Sequence, residues 1–293
     1  MTAMDTTLDR RLNVFRADLA NEALEGQVTA ERFTRGTPAQ VAIPVVGLRP
    51  QPALSSGIDT ELLLGETLRV FDRADGWAWV QADADGYAGY VPEDAVAEIV
   101  APTHRIISTR TFLYPEAELR KPPIAALSMG SSLTFVGEEE TRGTRYLMTA
   151  KGEGVIAAHC IAIGDVVASD YVSVALRFLE TPYLWGGRSG FGIDCSGLVQ
   201  LSAAMTGKSV LRDTDMQFRT LGTDISREEL GRGDLVFWKG HVGIMEDPDT
   251  LLHANGHTMN VSRENLDDAV KRIGWLYERP TAFRHVPLFH ENV

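Results

Sequence analysis

Residues 182–201 read Pro-Tyr-Leu-Trp-Gly-Gly-Arg-Ser-Gly-Phe-Gly-Ile-Asp-Cys-Ser-Gly-Leu-Val-Gln-Leu. This stretch constrains the fold more than any other. A loop with Gly186, Gly187, Gly190 and Gly192 delivers Cys195 to the start of an apolar segment of helical character. A cysteine at a helix N-terminus sits at the positive end of the backbone dipole, which favours the nucleophilic thiolate. Two histidines twelve residues apart, His241 and His253, follow downstream. A histidine can hold the proton that the cysteine gives up, and a second polar group can orient it. The order Cys, His, polar orienter therefore marks a candidate thiol nucleophile.

The rest of the composition narrows the alternatives. The chain has 293 residues, 44% apolar and 23% charged, and a net charge of −12, which gives room for two or three globular domains. No dense Lys/Arg patch stands out, so neither nucleic acid nor an anionic membrane or wall polymer is an expected partner. The two cysteines, Cys160 and Cys195, are too few for a disulfide framework. Cys160, in the apolar run 155–163, reads as a small buried hydrophobe. The first sixteen residues lack the apolar run of a secretory leader, and no apolar run approaches eighteen residues; the expected location is the cytoplasm, with no membrane span.

Four segments are expected along the chain. Residues 1–40 form an N-terminal extension, in which Leu8, Leu12, Phe15 and Leu19 have the spacing of an amphipathic helix. Residues 41–100 hold short strands at 41–46, 62–64, 67–71, 77–81 and 87–91 with glycine turns, which suggests a small barrel. Residues 101–164 repeat that pattern, with Leu64-Gly-Glu-Thr-Leu-Arg-Val aligning on Met129-Gly-Ser-Ser-Leu-Thr-Phe, so a second barrel is expected. Residues 165–293 begin with helices at 167–179 and 195–205, the latter capped by Asp194. A short helix at 227–230 follows, then strands at 235–238, 241–245 and 251–253. Helices followed by a run of strands predict an α+β unit with an antiparallel sheet.

The chemistry-bearing pieces are Tyr183-Leu-Trp-Gly-Gly, Asp194-Cys-Ser-Gly, Gly233-Asp-Leu-Val-Phe-Trp, His241-Val-Gly-Ile and His253-Ala. In this order and spacing, over roughly residues 165–285, they resemble the NlpC/P60 family of cysteine peptidases. The resemblance implies a permuted papain-like α+β fold and action on peptidoglycan peptides. It makes Cys195 the nucleophile, His241 the general base, and His253 the group that orients His241. Tyr183 is implied to line the site near the oxyanion, beside the Cys195 backbone N–H. Trp185 reads as a packing residue and His257 as a loop histidine. A zinc site built from Cys195, His241, His253 and His257 is the competing use of these side chains. The absence of a Cys-x2-Cys pair and the Asn255-Gly256 turn argue against it, so no metal or other cofactor is expected.

The two upstream modules resemble bacterial SH3 domains. Two such modules followed by NlpC/P60 resemble the γ-D-glutamyl-L-diamino acid endopeptidases of the dipeptidyl-peptidase VI type. In that group the first module closes one end of the cleft and reads the free amine of an N-terminal L-Ala with an acidic residue and a tyrosine. The matching segments are Ile58-Asp-Thr-Glu-Leu-Leu-Leu-Gly-Glu and Gly86-Tyr-Ala-Gly-Tyr-Val. They place Asp59 and Tyr87 in these roles, with Glu61 as the alternative carboxylate; a solvated turn residue and a barrel-core aromatic are the plainer readings of Asp59 and Tyr87. A buried ammonium requires a paired carboxylate. The resemblance also makes Asp194 and Ser196 substrate contacts. Thr214, in Arg212-Asp-Thr, would hold the α-carboxylate of D-Glu, and Arg212 either helps or is structural.

The expected substrate is thus a short muropeptide, L-Ala-γ-D-Glu-diamino acid, cut in murein recycling. The choice between meso-diaminopimelate and L-Lys, and the oligomeric state, stay open. So do three rivals: a hydrolase of intact cross-linked wall peptide, a thiol acyltransferase of related fold, and a wall-binding adaptor without activity.

Overall fold

Val14 and Phe15 are neighbours in sequence, yet they pack into different clusters. Val14 joins Leu19, Phe71, Trp79 and Ala88, whereas Phe15 joins Ala20, Leu24 and Val28. Alternation of this kind belongs to extended chain, not to a helix. In the computed structural model, which describes residues 8–166, 168–276 and 278–287, the expected N-terminal helix is accordingly absent from the described part of 1–40. A turn held by the Asn13 side chain on the Asp9 carbonyl (2.8 Å) leads into a strand at Leu19–Asn21 and a single 3-10 turn at Glu22–Leu24. The helical spacing of Leu8, Leu12, Phe15 and Leu19 lost to burial on two sides.

The described residues are mainly β, with four short α-helices. Two compact units are present. The first comprises Met1–Arg105, Phe112–Leu127 and Ser131–Ala158; the second comprises Ile106–Thr111, Ser128–Gly130 and His159–Val293. In the first unit, strands Ala88–Pro92, Trp77–Ala82, Thr67–Ala74, Thr37–Val41 and Val96–Ala97 form one sheet in that order, all pairs antiparallel. Val45–Leu48 pairs with Thr60–Leu63 as a separate hairpin. Further along in the same unit, Gly137–Thr141, Thr144–Met148 and Gly154–Ile156 make an antiparallel meander.

The second unit is built on a six-stranded antiparallel sheet. Its order is Thr223–Asp224, Ala282–His285, Leu235–Trp238, His241–Met245, Thr250–Asn255 and Asn260–Asn265. Helix α1 (Tyr171–Leu176) starts where Asp170 accepts bonds from the N–H groups of Val172 and Ser173. It is shorter than the expected 167–179 helix, and Val167 lies outside the described residues. Helix α2 (Cys195–Ala204) is buried almost all round, as expected for a helix rich in apolar and small residues, and its long polar side chain, Gln200, donates to the Val210 carbonyl. It packs on α1 and on the His241–Met245 and Thr250–Asn255 strands. Helix α3 (Thr214–Thr220) and helix α4 (Leu266–Leu276) were not apparent in the sequence reading. Leu266, Ala269 and Ile273 of α4 pack with Val236, Trp238, Met245 and Leu251 of the sheet. The helix expected at 227–230 is one 3-10 turn at Arg227–Glu229. No helix among the described residues is long and apolar enough to cross a membrane.

Candidate active site

Asp194 adopts extended backbone ahead of α2, and its Oδ1 accepts the Gly197 N–H at 2.7 Å. This cap fixes Cys195 as the first helical residue. The same carboxylate accepts the Gly186 N–H at 3.0 Å and the Ser196 hydroxyl at 3.3 Å. Gly197 must be glycine for packing, because a Cβ there would lie 2.4 Å from the Gly187 carbonyl oxygen.

The Arg212 guanidinium donates to Asp194 Oδ1 (2.9 Å) and Oδ2 (2.7 Å), to Ser196 Oγ (2.9 Å) and to the Gly187 carbonyl (3.2 Å). Arg212 is wholly buried, and Asp194 and Ser196 are nearly so. The charge pair is therefore bidentate and enclosed, which is the arrangement that compensates desolvation. Arg212, Asp194 and Ser196 thus hold together the loop that leads into Cys195. Of the two readings left open for Arg212, its bonds to Asp194, Ser196 and the Gly187 carbonyl favour the structural one.

Cys195 is 6% exposed. Thr214 Oγ1, on the first turn of α3, lies 3.7 Å from the sulfur, and the Val242 backbone N–H also hydrogen-bonds it. The residue before Val242 is His241. Tyr183 is half-buried. Its N–H donates to Met259 O at 2.9 Å, and its backbone bridges to Ile193, two residues ahead of Cys195. Trp185 is 72% exposed, which corrects its reading as a packing residue.

His241 and His253 meet directly: Nε2 of His241 and Nδ1 of His253 are 2.9 Å apart. His253 is fully buried. Its Nε2 lies 3.3 Å from Glu264 Oε2, and Arg272 of α4 holds Glu264 through Nε to Oε1 at 2.9 Å and Nη2 to Oε2 at 2.5 Å. Sequence reasoning missed Glu264 and Arg272. The signal is the strand register: His253 pairs with Ser262 and Leu251 with Glu264, so Glu264 stands two residues along on the face of His253. His257 sits in the turn after the strand, its N–H on Asn255 Oδ1.

Burial sets the resting charges. It pushes the Cys195 thiol up to about 11, aided by the Asp194 charge and opposed by the Val242 N–H, Thr214 and Arg212. Burial also takes His241 down to about 3, with His253 and Arg272 adding to the drop and Glu264 opposing it. Desolvation outweighs the helix dipole at Cys195, which favours a neutral thiol there and a neutral imidazole at His241.

Asp59, Glu61 and Tyr87 belong to the first unit. Asp59 lines a cavity of about 430 Å³ together with Arg10, Arg16, Trp79 and Tyr90. Tyr87 and Glu61 are enclosed, at 2% and 7% exposure. Cys160 is half-buried. Among the described residues no group of three or more His, Cys, Asp and Glu is arranged to hold a metal ion.

Comparison with known proteins finds matches to part of each unit. Residues 180–273 match the NlpC/P60 family, and residues 48–96 match the bacterial dipeptidyl-peptidase SH3 domain. The chain is 26% identical over 271 residues to dipeptidyl-peptidase 6 of Lysinibacillus sphaericus, covering 82% of this chain and 99% of that protein. It is 26% identical over 258 residues to a gamma-D-glutamyl-L-lysine dipeptidyl-peptidase of Bacillus cereus, covering 78% and 76%. The crystal structure of an NlpC/P60 family protein from Bacillus cereus superposes with a TM-score of 0.69 at 20% identity, covering 85% of this chain and 99% of that one. It shares the fold.

Proposed function

We propose that this chain, a cysteine peptidase of the NlpC/P60 family, cleaves the bond between γ-D-Glu and the diamino acid in short peptidoglycan stem peptides that carry a free N-terminal L-Ala. The observation that carries the reading is the 2.9 Å contact between His241 Nε2 and His253 Nδ1. It leaves Nδ1 of His241 to take the thiol proton, in a site where Cys195 lies against the next residue, Val242. The match of residues 48–96 to the SH3 domain of dipeptidyl-peptidases supports the substrate class.

In this reading the Cys195 sulfur attacks the γ-carbonyl carbon of D-Glu while its proton moves to His241 Nδ1. The Cys195 N–H and Tyr183 stabilise the oxyanion. His241 then gives its proton to the leaving amine, and water releases L-Ala-D-Glu from the sulfur. Thr214, beside the sulfur, holds the α-carboxylate of D-Glu. Tyr87 with Asp59 or Glu61 pairs the substrate ammonium. The accompanying fold reading is two SH3-like barrels, 41–100 and 101–164, ahead of a papain-like α+β domain, 165–293. A demand for a free amine selects peptides already released from the glycan, which fits murein recycling in the cytoplasm.

The test is mass spectrometry of products from L-Ala-γ-D-Glu-meso-diaminopimelate and from its N-acetylated form. Cleavage of the free peptide alone is expected. Cleavage of both discards the amine requirement, and cleavage of neither overturns the substrate assignment. Glu61→Gln and Asp59→Asn then identify the carboxylate: loss of the ammonium partner raises KM, by about tenfold or more for a charge-assisted contact.

A further inference from the structure

The two histidines share a single proton across their 2.9 Å contact, and something must decide its direction. In one arrangement His241 carries its hydrogen on Nε2 and donates to His253, leaving Nδ1 as a base. In the other, His253 donates and His241 Nδ1 carries the hydrogen, which makes His241 useless as a base toward Cys195. The choice turns on the far nitrogen of His253. That nitrogen, Nε2, is fully enclosed and has no hydrogen-bond partner within geometric limits; the nearest acceptor is Glu264 Oε2 at 3.3 Å. The contact is off-axis in the resting protein, so it acts as an electrostatic contact. A bare nitrogen lone pair facing a carboxylate is repulsive, whereas an N–H facing it is attractive.

We infer that Glu264, clamped by Arg272, is a positioning residue that sets the polarity of the histidine pair and stabilises the imidazolium of His241. The inference rests on the thiol-peptidase reading above. Glu264 requires the hydrogen on His253 Nε2. His253 Nδ1 is then an acceptor, His241 donates to it from Nε2, and His241 Nδ1 is left to take the Cys195 proton. As the sulfur bonds to the carbonyl carbon, that proton makes His241 cationic, and the Glu264 charge lies along the relay from it. Arg272 holds the carboxylate ionised: burial alone would raise it, but His253 and Arg272 bring it down to about 2. The Arg272 bonds span the Asn260–Asn265 strand and α4, so the clamp is built from two elements. The other charged and titratable groups facing the relay are Cys195 with Asp194 and Arg212 at its thiol end, and His257 beside His253.

Glu264→Gln tests this, beside Glu264→Asp and a control, Arg263→Gln. Arg263 lies beside Glu264 on the same strand, but its guanidinium bonds Glu246, beyond the end of the His241–Met245 strand. Two readouts are taken: kcat, KM and pH profile on the tripeptide, and the pH dependence of iodoacetamide alkylation at Cys195, followed by mass spectrometry of its own fragment. General-base relays of this kind are worth about 10²–10⁴ in rate, so Glu264→Gln is expected to lower kcat by about ten- to a hundredfold with KM nearly unchanged. Without the carboxylate the His241 imidazolium loses support, so the acidic limb of kcat/KM moves to still lower pH. Alkylation of Cys195 at neutral pH slows in parallel. Glu264→Asp recovers part of both rates, and Arg263→Gln changes neither.

The inference is overturned if Glu264→Gln keeps its rate and pH profile, or if Arg263→Gln loses as much. Alkylation needs no peptide, so it decides the role of Glu264 even if the wild-type protein leaves the tripeptide intact and the substrate assignment fails.

Discussion

Replacing Cys195 with alanine is expected to lower cleavage of the tripeptide by at least about 10⁴-fold, because the covalent route is lost and only binding and oxyanion contacts remain. The fold should survive. Cys195 is the first residue of α2, its cap comes from Asp194, and alanine is the best helix former. The sulfur touches Thr214 and the Val242 N–H, so its removal leaves a void worth about 1 kcal/mol. Peptide binding measured by calorimetry should therefore persist while turnover vanishes. Turnover retained in the alanine variant rules out the thiol mechanism.

Replacing Arg212 with methionine is expected to be the most destabilising of the substitutions considered. The guanidinium makes four hydrogen bonds in a wholly buried setting. Without it the Asp194 carboxylate keeps, among the described residues, the Gly186 and Gly197 N–H groups and the Ser196 hydroxyl, none of them charged. Breaking one side of a buried pair costs about 3–5 kcal/mol, which in a unit of this size lowers the melting temperature by roughly 10 °C. Activity should fall with stability, since the same carboxylate caps the helix that carries Cys195. Arg212→Met with Asp194→Asn should recover part of the melting temperature, because the stranded charge is gone. If Arg212 instead held the substrate carboxylate, methionine would raise KM and leave the melting temperature unchanged; calorimetry of the two variants separates these outcomes.

The legible part of this protein was the local chemistry. Asp194-Cys-Ser-Gly announces a capped helix start, and the structure has that cap. The histidine pair was legible because a short turn at Asp247–Pro248 folds its two strands together. Met245 pairs with Leu251 and Ile244 with Leu252, and extending that register sets His241 and His253 as diagonal neighbours on one face. What stayed hidden depends on partners distant in sequence. From the sequence, Arg212 reads equally as a substrate contact or a structural residue, and its burial against Asp194 shows only once the chain is folded. Glu264 and Arg272 join the site only through the pairing of the last strand with its neighbour and the packing of α4. Trp185 reads as core by residue type, but the turn at Gly186, whose φ is +74°, is compatible with an outward-facing ring. The N-terminal segment misled because its helical spacing is real, while the two clusters that receive Val14 and Phe15 lie on opposite sides of the chain.

The most direct test of the central claim is to quench the wild-type protein with acid during turnover of L-Ala-γ-D-Glu-meso-diaminopimelate and to map covalent adducts by mass spectrometry. A thioester of L-Ala-D-Glu through its γ-carbonyl, confined to the fragment that contains Cys195 and absent from Cys160, is the predicted result. Steady product formation with no adduct at Cys195, under conditions where deacylation has been slowed, would contradict it.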